Sequence, residues 1–309
     1  MGSFTTPSSD GVTLVVHDLG GSGHDALFAH ATGFPFGAYR PLLDQLSPLL
    51  RVGGPELRGI GGSSWPTSGS ANWQGFADDL RAAGAALGFF AHRAPLGIGH
   101  SSGATALLLV EAAQPGTFSA LYCYEPAYFP AGAAGLPAAT TELLARRVEG
   151  ARRRRPGFPS RDEARARLAA SPLGLAPEAL EAYLDSAFET RSDGALVLRL
   201  APEQEAAIYA AAPAAAAGLA PSAVRCPVHL VAGAASDPIS RSGTEALANQ
   251  LAHASTEIAP GLPHLGPLVD PAALAASIRA WAHAALGDST RDCSAGEPGG
   301  FSAGETAGA

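Results

Sequence analysis

Two neighbouring serines lie in the glycine-framed stretch Gly99-His100-Ser101-Ser102-Gly103. The stretch has the pattern G-x-S-x-G, follows the short apolar run APLGI and opens an apolar, helix-like segment. In that setting the middle serine stands on a tight strand-to-helix turn, which holds its hydroxyl out at the edge of a sheet. Ser101 is therefore the predicted nucleophile, one that would attack an acyl carbon, and Ser102 contributes its backbone N–H.

A serine hydroxyl is a poor nucleophile until a base takes its proton and a carboxylate orients that base. His264, in the loop PGLPHLGP after the last strand-like stretch, is the predicted base, whereas His253 and His283 lie inside helix-like segments. The acid is expected between the serine and the histidine along the chain. We favour Asp237, which follows the strand-like run CPVHLVAG, and Glu125 at the end of LYCYE is the alternative.

The tetrahedral intermediate of acyl transfer carries a negatively charged oxygen that needs N–H donors. The backbone N–H groups of Ser102 and of Thr32, in the loop AHATGF, are the predicted donors, and His30 is interpreted as a structural histidine. Residues near these loops predict a pocket for a substrate with an apolar part, although ordinary packing explains each aromatic residue equally well. The pocket candidates are Phe34, Phe36, Trp65, His100, Tyr128 and Phe129.

Strand-like and helix-like stretches alternate along the first part of the chain, a pattern typical of a parallel sheet covered by helices. The alternation stops over residues 127–223, where helix-like segments predominate, and then resumes. We predict a core domain of residues 10–126 and 224–286, interrupted by a helical lid of residues 127–223 that covers a pocket at the strand ends. Residues 287–309, rich in Gly, Ser, Ala and acidic residues, are predicted to form a disordered tail.

The composition indicates a globular protein, because 47% of the 309 residues are hydrophobic and only 16% are charged. A net charge of −8 gives no general attraction to nucleic acids or acidic membranes. The three cysteines have unpatterned spacing, so neither a disulfide framework nor a metal site is predicted. We expect a cytoplasmic protein, since no signal-peptide pattern and no apolar run of membrane-spanning length is present.

An arginine-rich stretch within the predicted lid, from Arg146 to Arg167, includes the sequence ARRRRPGF. We interpret it as a solvated helix face whose charge offsets that of an acidic protein. The alternative is recognition of an anionic substrate or carrier protein, since guanidinium groups bind carboxylates and phosphates. Nucleic-acid binding is not expected, because the stretch is short and lacks interleaved aromatic residues.

Taken in order, five motifs resemble those of the α/β-hydrolase superfamily. HATGF is similar to the oxyanion loop, ELRGIGGSS to the loop after the fourth strand, GHSSGA to the nucleophile turn, GAASDP to the acid loop and PHLGP to the histidine loop. Ala31 stands where the family usually has glycine. The likeness covers roughly residues 10–126 and 224–286. Within the superfamily the sequence is similar to a bacterial group with a His-Ala-Thr-Gly-Phe oxyanion loop.

The resemblance implies an eight-stranded, mostly parallel sheet with helices on both faces and a lid inserted after the sixth strand. It also implies a serine hydrolase without a cofactor. The main prediction is cleavage of a carboxylic ester or lactone through Ser101, Asp237 and His264. Carbon–carbon bond hydrolysis, acyl transfer and perhydrolysis use the same residues and are alternatives. A non-hydrolytic binding or cyclase-like protein on the same fold is the alternative from another class.

Overall fold

The computed structural model describes residues 2–130 and 135–288, so that nearly all of the predicted tail lies outside the described residues. The strands, in chain order, are β1 (Gly2–Pro7), β2 (Thr13–Asp18), β3 (His24–Ala29), β4 (Leu50–Pro55), β5 (Leu96–His100), β6 (Ala120–Tyr124), β7 (Gly157–Phe158), β8 (Phe188–Thr190), β9 (Leu196–Leu198), β10 (Val228–Gly233) and β11 (Ala254–Ala259).

Ten α-helices are formed within the same described residues. They are α1 (Arg40–Leu43), α2 (Gln74–Ala86), α3 (Ser102–Ala113), α4 (Ala138–Arg152), α5 (Arg161–Ala169), α6 (Pro177–Ala187), α7 (Pro202–Gly218), α8 (Pro238–Ala248), α9 (Gly266–Val269) and α10 (Pro271–Asp288). Two short 3-10 helices cover Phe36–Tyr39 and Pro221–Ala223. None of the helices in this part of the chain is long and apolar enough to cross a membrane.

The main sheet has eight strands in the order β1-β2-β4-β3-β5-β6-β10-β11. The β1–β2 and β2–β4 pairs are antiparallel, and the remaining neighbours are parallel. The predicted eight-stranded, mostly parallel sheet is therefore confirmed. In the register of β5 and β6, His100 lies opposite Tyr124. Because parallel strands end at the same edge, the next residues along each chain, Ser101 and Glu125, become neighbours there.

Side chains that alternate along the buried strands form two hydrophobic clusters, one on each face of the sheet. In β6, Leu121 belongs to one cluster and Tyr122 to the other. The first cluster includes residues of α2, α3 and α8, and the second includes residues of α1 and α10. Fully burying one large apolar side chain contributes about 1.5–3 kcal/mol, so these two layers hold the helices on both faces and fix the strand ends.

The segment between β6 and β10 contains the four helices α4 to α7, as the sequence predicts. It also holds a small antiparallel sheet in the order β7-β9-β8, of which the sequence pattern indicates only β9. In this inserted segment (residues 127–223) α4 packs on α7. The indole N–H of the buried Trp73 donates to the carbonyl of Ile208 in α7 at 3.0 Å. This hydrogen bond joins the insert to the turn that precedes α2.

Candidate active site

Ser101 occupies the sharp turn between β5 and α3, with φ 52° and ψ −118°. A residue other than glycine rarely adopts a positive φ, so the surroundings must hold this backbone in place. The flanking glycines allow the turn to pack closely. A Cβ at Gly103 would lie 2.3 Å from the carbonyl oxygen of Ala29, and one at Gly99 would lie 2.6 Å from the Cα of Ala104. The tight turn presents the Ser101 side chain to a cavity at the edge of the sheet.

His264 lies in the loop between β11 and α9 and pairs with a buried carboxylate. Its Nδ1 donates to Oε2 of Glu125 at 2.6 Å, and the backbone N–H of Gly233 donates to the other oxygen at 2.7 Å. Glu125 is only 1% exposed. A carboxylate only accepts hydrogen bonds, so Nδ1 carries the proton and Nε2 is left as the basic nitrogen of His264.

The carboxylate beside His264 is thus Glu125, whereas the sequence favours Asp237. The order of the strands explains the difference. Glu125 follows β6, the immediate neighbour of β5 in the sheet, but Asp237 follows β10, one strand farther away. Asp237 instead caps α8 and accepts hydrogen bonds from the backbone N–H of Ser240 at 2.9 Å and from its hydroxyl at 2.7 Å. Burial tends to raise the pKa of Asp237, but these hydrogen bonds and nearby cations lower it below its usual value.

Thr32 and Ser102, the two predicted oxyanion donors, lie together beside the nucleophile turn. The backbone N–H of Thr32 donates to the hydroxyl oxygen of Ser102 at 2.9 Å, and the Thr32 hydroxyl donates to the same atom at 3.0 Å. The N–H of Ser102 belongs to the first residue of α3, where the helix itself supplies no acceptor. The structure brings both residues together. The Thr32 N–H, which was expected to be free for an oxyanion, is bonded to the side chain of Ser102.

A buried chain of hydrogen bonds passes beneath the site and involves His100, a predicted pocket residue. The N–H of Ala31 donates to the Tyr39 hydroxyl at 3.2 Å, which donates to His100 Nδ1 at 2.7 Å. His100 Nε2 then donates to the backbone carbonyl of His264 at 2.8 Å. Burial, with the neighbouring His264, holds the pKa of His100 well below its usual value. His100 therefore supports the histidine loop as a neutral ring and does not line the cavity.

His30 has the structural role that its sequence position predicts. It is fully buried, its Nε2 accepts the backbone N–H of Leu57 at 2.9 Å, and its Nδ1 donates to the carbonyl of Ala31 at 2.9 Å. Burial lowers its pKa, so the ring stays neutral in this environment. Nδ1 bonds within its own loop and Nε2 bonds to the segment after β4, which leaves neither nitrogen to act as a second base.

Two adjoining cavities lie at this edge of the sheet. The smaller, of about 120 Å³, is lined by Ala31, Thr32, Phe34, Ser101, Arg147, Tyr209, His264 and Leu265. The larger, of about 370 Å³, shares Phe34, Arg147 and Tyr209 with the first and adds Gly150, Ala151, Arg154, Leu168, Leu173 and Glu205. Arg147 comes from α4 and Tyr209 from α7, so the inserted segment forms part of the wall of the small cavity that Ser101 lines.

Among the six predicted pocket residues, only Phe34 lines these cavities. Phe36 is fully buried and stacks on His17, with 4.7 Å between the ring centroids. The Trp65 ring lies against Gly59, and the Tyr128 hydroxyl donates to Gln250 at 3.1 Å. Phe129 belongs to the hydrophobic core. These residues do not line either of the two cavities, because their side chains pack against the core or against other parts of the chain.

Arg147 and Tyr209 were not among the sequence-predicted pocket residues. A signal for Arg147 exists in its helical spacing, because it lies three residues after Leu144 and four before Ala151, both of which are buried. Residues at these spacings share one face of a helix. The arginine therefore projects from the inner face of α4, unlike its neighbour Arg146, whose side chain is 66% exposed.

No protein-family model and no curated protein sequence matches this chain. Solved structures match it over most of its length. The crystal structure of E-2-(acetamidomethylene)succinate hydrolase has a TM-score of 0.72 and 21% identity, and the match covers 90% of this chain and 98% of that one. The peroxisomal alpha-beta-hydrolase Lpx1 of Saccharomyces cerevisiae has a TM-score of 0.71 and 18% identity, with 90% and 83% covered.

A thermophilic esterase from Thermogutta terrifontis, solved with malate bound, is also similar, with a TM-score of 0.66, 22% identity, and 92% and 99% of the two chains covered. Likenesses of this extent at 18–22% identity show the fold. The chain has the α/β-hydrolase fold. Within the described residues of this α/β-hydrolase fold, no group of three or more His, Cys, Asp or Glu side chains is arranged to hold a metal ion.

Proposed function

We propose that the protein is a serine hydrolase that cleaves a carboxylic ester or lactone through Ser101, His264 and Glu125. The observation that carries the proposal is the 2.6 Å hydrogen bond to the buried carboxylate of Glu125 from His264, which lines the same cavity as Ser101. This bond fixes the imidazole tautomer and stabilises the imidazolium that forms when the ring takes a proton. The residues also follow one another as serine, acid and histidine, the order typical of this fold.

In the proposed reaction, Nε2 of His264 takes the hydroxyl proton of Ser101 while the serine oxygen bonds to the carbonyl carbon. The resulting oxyanion accepts a hydrogen bond from the N–H of Ser102, and the N–H of Thr32 joins it after releasing the Ser102 hydroxyl. The intermediate collapses, the bond to the leaving oxygen breaks, and His264 returns the proton to that oxygen. A water molecule activated by His264 then cleaves the acyl-enzyme and restores the Ser101 hydroxyl.

The choice of an ester or lactone draws support from the similar structures, two of which are named as a hydrolase and an esterase. The larger cavity shares Phe34 with the smaller one and adds Leu168 and Leu173, which supports a small-molecule substrate with an apolar part. Carbon–carbon hydrolysis, acyl transfer and perhydrolysis require the same three residues. A panel of esters, lactones and diketones of graded length therefore distinguishes these reactions once an activated serine has been demonstrated.

The first experiment measures the intact mass of the protein after exposure to a small fluorophosphonate. We expect one adduct on the wild type and none on Ser101→Ala, because only a serine with an assembled base attacks the phosphorus readily. Ser102→Ala is the matched control, since it removes the adjacent hydroxyl and should still be labelled. The kcat/KM of Ser101→Ala for a cleaved ester should fall at least about 10³-fold. Labelling of Ser101→Ala, or an unlabelled wild type, contradicts the proposal.

A further inference from the structure

Arg147 places a positive charge in the wall of the cavity that holds Ser101 and His264. Its side chain is only 22% exposed, which weakens the screening that water gives to a charge at the surface. The residue belongs to α4, outside the part of the fold that carries Ser101, Glu125 and His264. The proposed hydrolytic steps do not use its charge, so its position calls for a different role.

Arg147 forms an ion pair with Asp237 but no hydrogen bond within the part of the chain that the structure describes. Its guanidinium donates no hydrogen bond to any of the described residues, and the nearest carboxylate, that of Asp237, is 3.6 Å away. That separation is too long for a hydrogen bond, and Asp237 already accepts two hydrogen bonds from Ser240. By contrast, Arg154 on the other side of the cavity wall donates to Glu205 at 2.5 Å.

We propose, on the basis of the proposed function, that Arg147 binds a carboxylate carried by the acyl part of the substrate. The planar guanidinium presents two parallel donors that match the two oxygens of a carboxylate. Asp237 is close enough to hold the guanidinium in place without occupying those donors. Arg147 thereby acts as a specificity residue, and the favoured substrates are esters of short dicarboxylic acids or lactones that carry a carboxylate.

Tyr209 supplies a second donor in the same wall. Its hydroxyl forms no hydrogen bond with the described residues, and its ring lines both cavities beside Arg147. Burial, together with the charge of Glu205, raises the pKa of Tyr209, so that the phenol keeps its proton and can donate it in a hydrogen bond to an anion. The carboxylate of the substrate therefore meets a cation and a neutral hydroxyl in the same wall.

The volume of the smaller cavity limits the acyl group that carries this carboxylate. The cavity measures about 120 Å³. An engineered protein cavity of about 150 Å³ accommodates benzene, with its six carbon atoms. A succinyl group has seven non-hydrogen atoms, one of them the carbonyl carbon bonded to Ser101, so it would fill most of this cavity and place its carboxylate end near the larger cavity, which shares Arg147 and Tyr209 with the smaller one. Succinate half-esters are consequently suitable probes.

The test compares monoethyl succinate with ethyl succinamate, in which a neutral amide replaces the carboxylate. We expect the wild type to prefer the charged ester, and Arg147→Met to lose about 10–100-fold in kcat/KM for it, mainly through KM. The same variant should change less than about 3-fold with the amide, and Arg147→Lys should recover part of the loss. Arg146→Met is the matched control, because this neighbouring arginine points to solvent and bonds to Glu142.

Equal losses on both esters in Arg147→Met, or an unchanged preference, would overturn the proposal. If the wild type cleaves neither ester, calorimetry with Ser101→Ala measures the binding of monoethyl succinate without turnover. Binding that weakens at least 10-fold on adding Arg147→Met, and not on adding Arg146→Met, supports the proposal; absent or unchanged binding overturns it. Fluorophosphonate labelling of Ser101 is independent of Arg147, so an unlabelled wild type counts against the hydrolase itself.

Discussion

Glu125 reaches His264 because its side chain begins at the strand next to the nucleophile turn and remains buried along its length. One carboxylate oxygen accepts a hydrogen bond from the backbone N–H of Gly233, and the other accepts one from the protonated Nδ1 of His264. A carboxylate held in this way keeps the imidazole in a single orientation and tautomer. The catalytic histidine would therefore depend on a residue whose own position is fixed by two neighbouring strands.

Glu125→Gln should lower kcat by about 10³–10⁴-fold, because an amide cannot stabilise the imidazolium and permits the wrong tautomer. Asp237→Asn should lower kcat by less than about 10-fold, since that carboxylate caps α8 and pairs with Arg147, whereas Glu125 holds the hydrogen bond to His264. Steady-state kinetics on any ester that the wild type cleaves provides the measurement. A larger loss of kcat in Asp237→Asn than in Glu125→Gln would assign the acid to Asp237 after all.

At this scale the sequence predicts two residues that line one cavity in the structure, Ser101 and His264, but it favours a different carboxylate from the one that bonds to His264. The serine is marked by local pattern, a glycine-framed turn between a strand and a helix, and the histidine by its loop near the end of the chain. The choice between Glu125 and Asp237 depends on which strands are neighbours, and that order arises from pairing between distant segments. No local pattern around either carboxylate contains this information.

The junction of β5 and α3 is the element on which the site depends. The start of α3 approaches the backbone after β3 so closely that a methyl group at Gly103 would also lie 2.5 Å from the carbonyl oxygen of His30. Backbone atoms in a central strand cannot move aside as a flexible side chain does. The helix is therefore seated directly against the loop that carries Thr32.

Gly103→Ala should destabilise the protein by about 1–3 kcal/mol, because α3 must shift away from the sheet to relieve the overlap. The loss of kcat/KM should exceed the loss expected from the unfolded fraction alone, since the shift moves both Ser101 and the N–H of Ser102. Denaturant unfolding and ester kinetics together test this. Gly150→Ala in α4 is the control: a methyl group there meets nothing within 4 Å, so a gain of up to about 1 kcal/mol is expected. A stable, fully active Gly103→Ala protein contradicts the proposed seating of α3.

The inserted segment shows where element prediction from sequence fails. Its helices lie in segments rich in helix-forming residues such as Ala, Leu, Glu and Arg, but β7 and β8 have only two and three residues and gain their hydrogen bonds from β9. Strand propensity over so few residues is weak, and pairing decides the outcome. Tyr128 and Phe129, at the entry to the insert, were expected in the pocket because they are close in sequence to the end of β6. Closeness in sequence does not show that their side chains pack elsewhere, Tyr128 against Gln250 and Phe129 in the core.

Across the whole molecule, three buried histidines connect folding stability to pH. Burial lowers the pKa of His24, His30 and His100 in the folded protein. As the pH falls through about 6.5, the unfolded chain takes up protons at these positions before the folded protein does. Proton uptake by the unfolded chain favours unfolding. The stability that these three neutral histidines contribute is therefore fully present above about pH 6.5 and is lost as the pH falls below it.

The free energy of unfolding should therefore be lower at pH 5.5 than at pH 7.5, with His100 alone contributing up to about 1.4 kcal/mol per pH unit below 6.5. Urea denaturation at a series of pH values measures the slope. In His100→Gln this slope should become shallower, whereas His253→Gln, at an exposed position, should keep the slope of the wild type. An unchanged slope in His100→Gln would show that His100 is protonated equally in both states.

The limited space above Ser101 also determines what can happen after the serine has been acylated. A molecule of liquid water occupies about 30 Å³, and the cavity has a volume of about 120 Å³. A short acyl group leaves space for a water molecule beside His264, whereas a bulky one fills the cavity and keeps water out. The first kind would be released quickly, and the second would remain attached. One protein would thus be a catalyst for small acyl groups and a covalent trap for large ones.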